Sequence, residues 1–248
     1  SLFTQGINLH TNSMGYVYDL LEAGSNDLFY DAFIKLGVKI LHNTEAIRNL
    51  NEVGLYGSGQ TLSRSLVFDT HMLWYLYLNP DKIKDWLEED FYTYKDKKWH
   101  NKFSEKTIIE NLKEKGGKYN LHLDYDTDFT FYSKAGHPCH FSIRFFQNED
   151  GVLAYLPYFS MRIGHLLFLK AIGLLPYPTQ ILLEKNKHNI KEERRLSLLH
   201  NEYNYIIKLH LKRDALYALM EKTDDAEALK ILAKRVTENE LDLQDLWK

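Results

Sequence analysis

Arg64 and His71 stand seven residues apart in a strongly apolar stretch. On a helix that spacing leaves them about 20° from eclipsed and roughly 10.5 Å apart along the axis, so they share a face. A guanidinium beside an imidazole that titrates near neutrality suits phosphodiester cleavage. His71 takes or gives a proton at the 2′-hydroxyl or the leaving oxygen, while Arg64 stabilises the phosphorane charge. No metal enters that scheme. The same two residue types have a structural use, with Arg64 paired to an Asp or Glu on a helix surface and His71 partly buried and hydrogen-bonded to a neighbour.

Other groupings carry less chemistry. His137-Pro138-Cys139-His140 offers borderline and soft ligands, but no second cluster supplies spaced partners, and Pro138 reads as a turn. Asp124, Asp126 and Asp128 alternate as in a calcium loop, without the required Gly and closing Glu. Gly57-Ser58-Gly59 is followed by no Gly-Lys-Ser/Thr, so it reads as an interhelical turn rather than a phosphate cradle. The expectation is therefore no metal and no cofactor. Basic residues gather from Glu184 to Lys222, nine Lys or Arg against six Asp or Glu. Lys187, Lys191, Arg194 and Arg195 at the start of that segment are the candidates for phosphate contact with RNA, the alternative being a solvated helix face.

Helices must position these groups. Apolar residues from Asn26 to Leu50, at Leu28, Phe29, Phe33, Leu36, Ile40, Leu41 and Ile47, follow the three and four residue spacing of an amphipathic helix. Gly54, Gly57 and Gly59 then break the pattern, which resumes from Gln60 to Leu78 and stops at Asn79-Pro80. Asp81 to Asp96 reads as a charged helix with a stripe of Ile83, Trp86, Leu87 and Phe91. Ser104 and Thr107 start another that ends at Gly116-Gly117. Val152 to Leu175 reads as a buried helix, the alternative being a subunit or partner interface, since Pro157, Arg162, His165 and Lys170 interrupt it too often for a membrane span. A long helix is expected from about Asn189 to Glu221 and a further one from Asp224 to Val236.

An Arg followed by a His after four to six intervening residues resembles the signature of the HEPN superfamily of helical proteins. The pattern occurs as Arg64 with His71, and as Arg194 and Arg195 with His200. The helical pair from Asn26 to Leu78, followed by Ser133-Lys134-Ala135-Gly136-His137-Pro138, is also similar to an uncharacterised bacterial helical family related to that superfamily. The resemblance spans about residues 25 to 140. It implies a dimer that places both Arg/His pairs in one cleft and cuts RNA without metal, as in toxin or phage-defence systems, with Arg64 and His71 as the catalytic pair.

Composition bounds the rest. The chain has 248 residues, 44% hydrophobic and 26% charged, with a formal charge of -3. Those values fit a folded globular protein and argue against coating nucleic acid or anionic membrane by bulk charge. One cysteine, Cys139, excludes an intramolecular disulfide and points to a reducing, cytoplasmic compartment. The fold expected is an all-α multi-helix bundle, HEPN-like over residues 1–150, with helices of residues 151–248 packing on it as one continuous domain. The function expected is a non-catalytic interaction or scaffolding module that binds itself or a protein partner. The alternative is the metal-independent endoribonuclease acting on RNA.

Overall fold

Two glycines set the ends of the first two helices. Gly24 (φ +90°) and Gly54 (φ +74°) adopt the left-handed conformation that closes a helix. Ser25 N–H reaches back to the Leu20 carbonyl at 3.0 Å and Leu55 N–H to the Leu50 carbonyl at 2.8 Å, the same capping pattern at both ends. The computed structural model describes residues 2–88, 97–115 and 171–222, without the side chains of 97, 98, 100 and 213–222. Among the described residues every regular element is a helix.

The helices are α1 (Leu2–Glu22), α2 (Leu28–Glu52), α3 (Tyr56–Leu78), α4 (Ile83–Leu87), α5 (Lys97–Phe103), α6 (Glu105–Lys115), α7 (Pro176–Lys185) and α8 (Arg194–Lys222). Asp27 caps α2 by accepting from Phe29 N–H at 2.9 Å, and Ser104 caps α6 by accepting from Thr107 N–H at 3.2 Å. None of the described helices is long and apolar enough to cross a membrane.

Four boundaries differ from expectation. Helix α1 is absent from the sequence reading, because its buried face mixes Phe3, Leu9, Tyr16 and Val17 with Gly6, His10 and Ser13, which hides the apolar stripe. Gly57 and Gly59 are not an interhelical turn but part of the first turn of α3, Gly54 having already reversed the chain. Asp81 to Asp96 is not one helix. A 3-10 turn at Pro80–Lys82 leads into α4, which ends at Leu87, before Glu88, whose carboxylate opposes the helix dipole there. The long C-terminal helix starts at Arg194 rather than 189, since residues 186–192 are turns. Residues 171–174 are helical; the rest of the expected helices at 152–170 and 224–236, and Phe91, lie outside the described residues.

Helices α1, α2 and α3 run antiparallel in sequence, with polar contacts marking each seam. His10 of α1 meets the Gly37 carbonyl of α2, and Asn43 of α2 meets Ser65 of α3. Helix α8 lies antiparallel on α1, where Asn12 donates to Glu202 and Arg195 pairs with Asp19. Helix α7 joins α1 through Ser13 and Thr179, 2.7 Å apart, and α6 lies on α3. The main core gathers Trp74, Phe29, Phe33, Leu9, Leu182, Leu196 and Ile206 from α1, α2, α3, α7 and α8.

The α1–α2 approach is tight at Gly37, where an added side chain would push the end of the Met14 side chain aside. A Cβ there would lie 2.9 Å from Met14 Sδ and 3.4 Å from His10 Nε2. Gly37→Val is expected to lower stability by about 1–3 kcal/mol in urea unfolding, since a branched side chain overpacks the seam. Unchanged stability in that variant would show that the Met14 side chain moves aside without cost.

Candidate functional site

Helix α3 changes character along its length. From Asp69 to Leu76 every residue is buried, whereas Thr61, Arg64 and Ser65 border an open side. A helix apolar all round belongs inside a protein, and Leu66-Val67-Phe68 with Met72-Leu73-Trp74-Tyr75-Leu76-Tyr77-Leu78 has that composition. The candidate pair straddles this change. Arg64 lies in the half-open part and His71 in the enclosed part.

Arg64 Nη2 donates to both carboxylate oxygens of Glu105 at 3.0 Å, tying α3 to the first turn of α6. Glu105 is well placed there, because a carboxylate at a helix N-terminus meets the positive end of the dipole. His71 is 8% exposed, and its ring hydrogen-bonds the Val67 carbonyl one turn back. Burial pushes its pKa down to about 4, so the imidazole is neutral at pH 7. These are the ion pair and the hydrogen bond of the structural alternative.

The basic candidates are also placed. Arg195 pairs with Asp19 and lies over the Tyr16 ring, while Lys187 pairs with Glu184 at 3.1 Å. Lys191 and Arg194 are exposed and have no ion pair among the described residues. Lys185 is held by Asp27 at 2.6 Å, above the rings of Phe29 and Tyr30. Among the described residues no three His, Cys, Asp or Glu side chains converge as metal ligands. His137, Cys139, His140 and the three alternating aspartates lie outside them.

One polar cluster escaped the sequence reading. Asp69, 2% exposed, accepts from Lys39 Nζ at 2.7 Å, Asn43 Nδ2 at 3.1 Å and Ser65 Oγ at 3.3 Å. Burial pushes its carboxyl up from the ordinary value, and these three donors oppose that shift. A signal was present, since a carboxylate inside the apolar run after Leu66 is costly unless another helix brings it a partner. Lys39 could not be identified from spacing because it arrives from α2. His10 is another buried imidazole, its Nε2 2.8 Å from the Gly37 carbonyl and its pKa lowered to about 4, chiefly by burial.

No protein-family model matches this chain, and no curated protein or solved structure matches it either.

Two measurements follow from these geometries. Lys39→Met leaves buried Asp69 without its cation and should cost about 1–2 kcal/mol, less than a fully buried pair because Lys39 is half exposed. Adding Asp69→Asn should recover most of that loss, and additive losses in the double variant would refute the coupling. The histidine shift gives a pH dependence of defined sign. Each folded pKa is about 4 against about 6.5 unfolded, so the contribution is complete above the unfolded value and is lost as pH falls from 6.5 towards 4. The slope approaches about 1.4 kcal/mol per pH unit for each histidine, while the raised Asp69 acts in the opposite sense. Comparing wild type with His71→Gln isolates one share; parallel pH profiles for the two would contradict a neutral buried His71.

Proposed function

We propose that the chain is a non-catalytic helical module that works by binding, as an interaction or scaffolding part of a larger assembly. The observation that carries this reading is the state of the Arg64/His71 pair. Arg64 is neutralised by Glu105, and His71 is enclosed, hydrogen-bonded to the backbone and uncharged at pH 7. A general acid or base needs reach to substrate and a pKa near the working pH. An imidazole with a pKa of about 4, 8% exposed, has neither. The outer faces of α1 and α8 expose Tyr18, Leu198 and Tyr205, apolar surface that a partner protein or a second copy can cover.

The test is incubation of the wild type and of Arg64→Ala/His71→Ala with mixed cellular RNA in chelator. The expected result is intact RNA with both proteins. RNA cut by the wild type and spared by a variant of equal helix content would overturn this reading and favour the HEPN-like ribonuclease instead.

A further inference from the structure

The corner between α7 and α8 meets the turn between α1 and α2 through an unusual density of polar contacts. Tyr16 OH donates to Glu193 at 2.7 Å, Tyr30 OH donates to Asn186 at 3.0 Å, Asp19 pairs with Arg195, and Asp27 pairs with Lys185. Between Glu184 and Arg195 the chain has five lysines and arginines against three glutamates. Asp19 and Asp27 supply the two negative charges that bring the corner to balance. A local positive surface is thus present and neutralised from within.

One neutralising pair is exposed and the other partly buried: side-chain exposures are 50% and 54% for Arg195 and Asp19, and 24% and 38% for Lys185 and Asp27. The exposed Arg195–Asp19 pair holds weakly, whereas a strand of phosphates gains from several cations together through counterion release. Lys191 and Arg194 stand exposed between the two pairs in sequence, with His188 and Asn189 also exposed in the turn. Beside the corner lies a groove of about 290 Å³ lined by Phe29, Tyr77, Pro80 and Ile83 and, on its polar side, by Lys185 and Lys187 with their carboxylates Asp27 and Glu184, and by His188. An apolar wall with a ring next to cations is the combination that a base and its phosphate take up, and an acidic peptide needs no such wall.

We propose that the α7–α8 corner is a binding surface for a nucleic-acid strand, held shut by Asp19 and Asp27, which occupy the cationic positions that phosphates take. This concerns binding rather than cleavage, and it does not depend on Arg64 or His71. Opening requires only that Arg195 and Lys185 exchange a carboxylate for a phosphate. No helix has to move.

The experiment is fluorescence anisotropy with a labelled single-stranded uridine oligonucleotide and its deoxy counterpart, over a series of salt concentrations. Asp19→Asn/Asp27→Asn removes two charges; Asn caps α2 as well as Asp does, its Oδ1 taking the Phe29 N–H, while its amide nitrogen no longer accepts from Lys185. At low salt this variant is expected to bind about tenfold tighter than wild type, with a slope of log affinity against log salt steeper by about 1.4. Adding Lys185→Ala/Arg195→Ala, which takes away the two freed cations, should remove the gain. Equal affinity of wild type and the Asn variant would overturn the proposal, as would a gain that survives the added alanines. Equal binding of polyglutamate of the same charge would replace the nucleic acid by acidic chains in general. Circular dichroism confirms that each variant has wild-type helix content.

Discussion

Everything in this fold depends on the complete enclosure of the second half of α3. Eight consecutive residues from Asp69 to Leu76 are buried, so α2, α6 and α7 must cover that helix from several sides. Enclosure then dictates the chemistry of every polar group there. Thr70 returns its hydroxyl to the Leu66 carbonyl, Asp69 needs Lys39, and His71 must be neutral. At the helix end, buried Asn79 donates to the Tyr75 carbonyl and to Asn111, and Lys115 donates to Asn79. Each of these solutions costs a partner from another element, and those partners fix how α2 and α6 lie on α3.

The parts that were legible in the sequence are those governed by local rules. The all-helical class, the glycine stop at Gly54, the Ser104 cap and the Asn79-Pro80 boundary each follow from the residues at hand. Helix α1 was illegible because its stripe is built from small and polar residues whose partners are far away. Gly6 faces Leu175, His10 faces Gly37 and Ser13 faces Thr179. The site had the same limitation. The spacing of Arg64 and His71 defines a shared direction, but it says nothing of where along α3 the surroundings close. That the apolar run after Leu66 covers all sides of the helix, rather than one stripe, was the available clue.

Charge shows the opposite relation between local and distant sequence. Read alone, residues 184–195 are basic; folded, they are balanced by Asp19 and Asp27, more than 150 positions earlier. Local charge counts measure the surface only where the fold brings no counter-charges. Here it brings two, Asp19 from the last turn of α1 and Asp27 from the cap of α2.

The position of α1 has a consequence for synthesis. Its inner side rests on α2, its immediate neighbour in sequence, but its other sides are covered by α7 and α8, which contribute Thr179 and Glu202. On a ribosome adding about 5–20 residues per second, the α1–α3 hairpins can assemble within seconds of emerging, while the surface awaiting α7 is still bare. Ser13, Tyr16 and Gly6 therefore face water or a chaperone for the whole interval in which the intervening hundred or so residues are made. The polar and small residues that obscured α1 in the sequence also make that face less adhesive during the wait than an ordinary apolar stripe would be.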